Sequence, residues 1–217
     1  MHVDLSVVPD EYIEFANQYP IVVNGRVRDI RKSTFSSIRL GLNDSYRGMV
    51  ILKSNLNYAG RPEINVGINI TSLDHGIVFQ SPMDYKIFES IDEVPPLVFA
   101  DTGMIVERFL PEFSGFRFVM RAMQFLGNRI DCMRIVSDNP IVNGSSGTLA
   151  GLVEPDPEIV EARERMNFDY GKFDYAINDG KAILFDTNKT PGAALPGAPA
   201  EILASRKNRA NGIYDYF

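Results

Sequence analysis

Apolar and polar positions along this chain follow two periods, and each predicts a different element. Residues 10–18 (DEYIEFANQ) predict a short amphipathic helix carrying Tyr12, Ile13 and Phe15, and the following YPIVVNG is a β-branched run stopped by Asn24-Gly25. The basic stretch RVRDIRKSTFSSIRL shows no clear period. GMVILK, from Gly48 to Lys53, is a continuous apolar strand ending in a charge, followed by the polar, turn-prone loop SNLNYAGRPE. Residues 83–94 (MDYKIFESIDEV) predict a strand turning into a short helix, with Ser90 as its cap. GMIVERFL is a further apolar strand with a charged pair near its end. A lobe boundary is expected there, giving an N-terminal lobe over 1–106 and a C-terminal lobe over 107–217.

In the second half, GFRFVMRAMQFLGNRIDCMRIVS predicts strand, Gly-Asn turn, strand. PDPEIVEARERMNF is the clearest helix, with Pro157 in the first turn and Ile159, Val160, Ala162, Arg163 and Met166 as its stripe. From Ala193 the chain is rich in Ala, Pro and Gly, and it ends in a short basic helix around 200–209 and an aromatic terminus.

Composition narrows the classes. A chain of 217 residues, 45% apolar with a mean hydropathy of -0.09, has enough material to bury a core. Its formal net charge of -6 argues against nonspecific binding to nucleic acid. The single cysteine, Cys132, sits in an apolar segment and cannot form an internal disulfide, which points to a reducing compartment. The first residues lack a basic region followed by a long apolar run, and no segment approaches the roughly 20 apolar residues of a membrane span. These features predict a cytoplasmic protein that engages neither membrane nor nucleic acid.

The stretch FDYGKFDYAINDGKAILFDTNKTPG places charges in strands that otherwise read as core. Asn178-Asp179-Gly180 separates two apolar runs and predicts a hairpin with a three-residue loop, Gly180 supplying the positive φ. Ile177 would then face Lys181. Lys172 and Asp174 would share a face with Ala182, Leu184, Asp186 and Asn188, opposite Phe173, Tyr175, Ile183 and Phe185. A two-residue loop would shift the register and separate Asp174 from Asp186. Two buried carboxylates on one face repel, so a positive charge is expected between them. Oxygen donors from two acids and an amide suit Mg²⁺. The alternative is a solvent-facing strand whose acids pair with Lys172 and Lys189.

Asn188-Lys189-Thr190-Pro191-Gly192 ends this strand in a turn open to a ligand, and the whole segment resembles the closing signature of the ATP-grasp superfamily, known from the D-alanine ligases. The resemblance implies an α+β fold in which two lobes clasp ATP, with Asp174, Asp186 and Asn188 as Mg²⁺ ligands. Asp186 stands where the family usually has Glu. Lys172 and Gly192 match groups that stabilise the transferred phosphoryl and the oxyanion. VILKSNLNYAG resembles the family's strand, lysine and phosphate loop, implying that Lys53 contacts ATP phosphates and that the loop with Gly60 closes as a lid. IVERFLPE resembles the hinge strand, implying that Glu107 takes the adenine amino group while the backbone of Arg108, Phe109 and Leu110 reads the ring edge. The resemblance covers about residues 48–192. The separate N-terminal substrate domain usual in the family is not evident, so a minimal form, a fragment or a partner chain supplying that domain is expected.

The implied activity is an ADP-forming ligation of a carboxylate to an amine through an acyl phosphate. A small-molecule kinase on the same fold, or an ATP-binding module without turnover that serves a partner chain, are the alternatives. No protein nucleophile is required, and His2 and His75 lack a visible catalytic partner. Ser145-Ser146 reads as a flexible loop. Arg121 and Arg134 are candidates to hold an anionic substrate or to lie on an exposed face, and Arg31 or Lys32 to supply a second phosphate contact.

Overall fold

The structure is a computed structural model describing residues 4–77, 79, 81, 84–144, 147–192 and 198–217; Ser145 and Ser146 lie outside the described residues. In chain order it runs α1 (Asp10–Ala16), α2 (Lys32–Phe35), β1 (Arg39–Leu40), β2 (Val50–Ser54), α3 (Arg61–Asn65), β3 (Lys86–Phe88), α4 (Pro96–Ala100), β4 (Met104–Arg108) and β5 (Glu112–Ser114). It continues with β6 (Arg117–Leu126), β7 (Arg129–Ser137), β8 (Thr148–Leu152), α5 (Pro157–Arg165), β9 (Tyr170–Asn178), β10 (Lys181–Asn188) and α6 (Ala200–Ala210). The fold is α+β, with every strand pair antiparallel. None of its helices is long and apolar enough to cross a membrane among the described residues.

Two compact units emerge, one from Asp4–Val7 with Asp29–Leu110, the other from Val8–Arg28 with Pro111–Phe217. The division falls after Leu110 rather than at 106, so the whole of β4 stays with the first unit. The early segment joins the second unit through Asn24. Instead of stopping a strand, this buried residue sits in a turn at φ 58°. Its Nδ2 donates to the Tyr170 carbonyl at 2.7 Å, and its Oδ1 accepts from the amides of Asp169 and Tyr170 at 2.9 and 3.0 Å. An amide engaged this way holds the backbone out of a ladder, which explains why the β-branched run before it forms a turn.

In the first unit a four-stranded sheet is ordered β1-β4-β2-β3. Leu40, Val50, Leu52 and Val106 form one face, packed with Ile91, Val94 and Val98 from the turn before α4 and from α4 itself. Alternation along β2 and β4 sends Ile51, Lys53, Ile105 and Glu107 to the other face.

In the second unit the sheet runs β10-β9-β6-β7-β8, and β5 pairs with the start of β6. One face is aromatic. Phe125 and Phe173 meet edge to face at 5.3 Å, with Phe168 against both. Helix α5 covers this face, as its sequence stripe predicts. The Asp156 carboxylate caps it by accepting from the Glu158 amide at 2.9 Å, and the Arg163 guanidinium lies 4.6 Å over the Phe125 ring. Cys132 is buried beside the Tyr175 hydroxyl, and burial pushes its thiol up to about 11, so it remains a packed, protonated group. The opposite face packs Met120, Ala122, Met133 and Ile135 against Ile202 of α6. Asp131 forms an ion pair with Arg209 at the far end of that helix.

The segment after α6 is anchored by backbone approach. A Cβ at Gly212 would stand 1.9 Å from the Leu126 carbonyl oxygen, and the Asp215 carboxylate accepts from the Asn128 amide at 2.7 Å. Gly212→Ala is therefore expected to cost about 1–3 kcal/mol through overpacking. Chemical unfolding checks this, and an unchanged midpoint would contradict the close approach.

Candidate functional site

The β9–β10 hairpin determines which side chains meet. Asn178 pairs with Lys181, so the loop is the two residues Asp179 and Gly180, at φ 49° and 75°. This corrects the three-residue loop expected from the sequence. Continued regularly, that register would place Asp186 opposite Phe173 on the aromatic face. A bulge between Leu184 and Asp186 absorbs one residue, Phe185, and restores the phase: Asp186 faces Asp174, and Asn188 faces Lys172. The four residues therefore share one face. The expected faces are corrected for the residues before the bulge, because Lys181 and Ile183 join the acids while Ala182 and Leu184 turn to the other side.

Asp174 is 8% exposed, and its Oδ2 accepts from Lys172 Nζ at 2.7 Å. Asp186 accepts from the Thr187 amide at 3.1 Å and from Asn188 Nδ2 at 3.5 Å. Burial pulls the Lys172 ammonium down, but the charge and hydrogen bond of Asp174, with the charge of Asp186, outweigh it and leave its pKa raised above 10.5. The stability from this pair is present below 10.5 and is lost as pH rises through the higher folded-state value. No group of three or more His, Cys, Asp or Glu side chains converges among the described residues. The donor set here is two carboxylates and an amide, all hard oxygen ligands. That chemistry fits Mg²⁺, which takes one or two carboxylates and leaves other positions to water and phosphate.

In the first unit, Glu107 stands opposite Ile51, so Lys53, two residues along β2, lies on its face. The two side chains form an ion pair with Lys53 3% and Glu107 0% exposed. Glu107 Oε1 has no hydrogen-bond partner, which leaves an acceptor in the interior. The Arg108 and Phe109 amides donate to the carbonyls of Ile38 and Met49 at 3.0 and 2.9 Å.

Gly60 closes a left-handed turn in which Tyr58 and Ala59 also have positive φ, 43° and 52°. A Cβ at Gly60 would stand 2.0 Å from Ile70 Cδ1, so this glycine is required for packing as well as for conformation. The turn is tied at its base. Asn57 donates from its amide to Ser6 Oγ at 2.8 Å, and Ser6 donates to Glu63 at 2.6 Å.

Other expectations resolve differently. Arg121 lies on the aromatic face and makes a two-pronged contact to Glu112, at 3.0 and 2.8 Å, with Arg134 opposite it in register. Its guanidinium is thereby committed to the protein. Arg31 is likewise engaged by Asp29, whereas Lys32 is buried with Nζ 3.4 Å from the Leu56 carbonyl, beneath the turn that precedes Gly60. Gly192 is exposed, with open space around its Cα. Lys189, a surface partner of the acids in the alternative reading of the sequence, is 2% exposed.

Solved structures of low sequence identity match this chain. The macrocyclase MdnC from Microcystis aeruginosa, bound with its precursor peptide MdnA, is 14% identical over 94% of this chain and 53% of its own, with a TM-score of 0.41. A RiPP-associated ATP-grasp ligase from Chryseobacterium gregarium, in complex with ADP and a leader and core peptide, is 9% identical over 84% and 52%, TM-score 0.43. A D-alanine–D-alanine ligase from Bacillus anthracis complexed with ATP is 12% identical over 84% and 56%, TM-score 0.44. The chain thus spans about half the length of these structures. No protein-family model matches the chain, and no curated protein matches it.

Removing one partner of a buried pair strands the other charge. Glu107→Leu and Lys53→Met are each expected to destabilise the fold by about 3–5 kcal/mol, while the double substitution restores most of the loss. Denaturant titration of the three variants checks this; additive losses would show that the pair is not coupled.

Proposed function

We propose that this chain binds Mg-ATP and acts as an ADP-forming ligase that joins a carboxylate to an amine. The observation that carries the reading is the pairing of Asp174 with Asp186 across the bulge, flanked by Lys172 and Asn188 on the same face. Like charges directly opposite on neighbouring strands are unfavourable, and Lys172 offsets part of that. A row of this kind suits polyanionic phosphate brought in with a divalent cation. Asp174, Asp186 and Asn188 would hold the Mg²⁺, which supplies positive charge to phosphate oxygens when bound.

Lys172 presents an ammonium that stays charged at neutral pH and would stabilise the transferred phosphoryl group. Gly192 would leave its backbone open to the oxyanion. In the first unit, Lys53 would contact phosphate, Glu107 the adenine amino group, the Arg108–Leu110 backbone the ring edge, and the Gly60 turn the phosphates. The substrate carboxylate oxygen attacks the γ-phosphorus and ADP leaves; the amine then attacks the acyl carbon and inorganic phosphate leaves. Positioning and charge stabilisation suffice for both steps.

Asp186→Ala is expected to weaken Mg-ATP binding by at least about 10–100-fold, the loss produced by disturbing even the support of a metal ligand. Far-UV circular dichroism should stay the same, and the apo protein should become no less stable, because a like-charge pair is removed. Nucleotide titration and ADP release in the presence of carboxylate and amine check this. Unchanged affinity would remove the hairpin from the site, and ADP release independent of any amine would contradict ligation. The Lys53→Met, Glu107→Leu double variant should fold yet bind ATP more weakly. An unaltered dissociation constant would remove both residues from the nucleotide site.

A further inference from the structure

The Gly60 turn is held from two sides, and both holds end at one buried corner, where α4 gives way to β4. On one side Asn55, the residue after β2, donates from its amide to the Gly103 carbonyl at 2.8 Å and from Nδ2 to the Thr102 carbonyl at 2.9 Å. On the other side runs the segment after α3. Its start is fixed by the Ile68 amide, which donates to the Glu63 carbonyl at 3.0 Å. Two residues on, Ile70 lies against Gly60, its Cδ1 2.0 Å from where a Cβ would stand.

Two residues further the segment reaches Asp101. This carboxylate, its side chain 1% exposed, accepts through Oδ2 from Ser72 Oγ at 2.8 Å and from the Leu73 amide at 2.9 Å. Its Oδ1 accepts from the Gly103 amide at 2.8 Å, so the corner that receives Asn55 also holds the segment. His75 closes the same corner. Its Nδ1 accepts from the Ile77 amide at 3.3 Å, and its Nε2 faces Asp101 Oδ2 at 3.8 Å.

Residues 71–74 are exposed, so burial of apolar surface does little to place them. The bonds to Asp101 do, and hydrogen bonds to a charged acceptor are roughly twice as strong as neutral ones. Closing the corner alone would need only the bond to Gly103; the second oxygen is given to the segment that presses on Gly60. That turn needs an outside restraint, because Tyr58 and Ala59 sit at positive φ and such conformations persist only where the surroundings over-determine them.

We propose that Asp101 is a positioning residue for the phosphate contact: by holding Ser72 and Leu73 it keeps Ile70 against Gly60, and so keeps the turn in its left-handed form. This deepens the ligase reading and rests on it for the turn's contact with phosphate, though not for the coupling of Asp101 to the turn.

The test is hydrogen exchange read by mass spectrometry on the intact chain, with calorimetric titration of Mg-ATP and of adenosine, in wild type, Asp101→Asn, Ser72→Ala, Ser72→Thr and Ile70→Ala. Asp101→Asn and Ser72→Ala are expected to speed exchange over residues 57–61 as well as 70–73, while β2 and β4 stay protected. Ile70→Ala should loosen 57–61 and leave 72–73 as they are. Affinity for Mg-ATP should fall about three- to tenfold in these three variants and affinity for adenosine should not change, while Ser72→Thr, which keeps the hydroxyl, should match wild type. Equal weakening of both ligands is the mark of a merely structural role and overturns the proposal. So does unchanged exchange over 57–61 in Ser72→Ala, or unchanged affinity for Mg-ATP. If Asp101→Asn does not fold, Ser72→Ala and Ile70→Ala carry the comparison. Failure of wild type to bind either ligand sinks the nucleotide reading, and the exchange data alone then decide whether Asp101 governs the turn.

Discussion

Two carboxylates facing each other across neighbouring strands are the constraint on which the functional account depends. Asp174 is largely buried and Asp186 half-buried, and their pairing is a matter of register. The fold departs from a regular ladder to achieve it: the tight loop would send Asp186 to the aromatic side, and Phe185 is spent as a bulge to bring it back. A strand that served only packing would gain nothing from that correction. Lys172 pairs with Asp174 and also feels the charge of Asp186.

The first unit shows a different balance. Lys53 and Glu107 answer each other inside an apolar environment, an arrangement costly to assemble and costlier to break. Such a pair is a poor choice for stability alone and a good one for holding two polar heads at fixed places on a sheet. The turn after β2 has the same character, since non-glycine residues at positive φ cost about 1–2 kcal/mol each and Tyr58 and Ala59 both adopt it. Hydrogen bonds from the Asn57 amide to Ser6 Oγ and from the Ser6 amide to the Glu63 carboxylate hold that base in place.

Elements with a strong period were legible in the sequence. The apolar runs became β2 and β4, the Gly127-Asn128 turn joined β6 to β7, and Pro157 opened α5 behind its Asp156 cap. Weaker signals failed for identifiable reasons. The run before Asn24 had strand propensity, but the side chain of Asn24 offered the backbone other partners. The hairpin loop was misjudged by one residue, and the bulge compensated by one. No local rule reveals this, because Phe185 looks like any other strand residue. Of the two places the sequence left open for Arg121, strand alternation turns it away from the acid row and Glu112 claims it, while Lys189 is buried just beyond the end of β10.

Ion binding where Asp174 meets Asp186 can be read without knowing any substrate. The most direct measurement is electron paramagnetic resonance of Mn²⁺, a magnesium surrogate, titrated into the chain with ATP present, in wild type and in Asp174→Asn. The account predicts that wild type captures Mn²⁺ into a protein-nucleotide complex and that Asp174→Asn leaves it as Mn²⁺-ATP in solution. Equal capture by both proteins would contradict it.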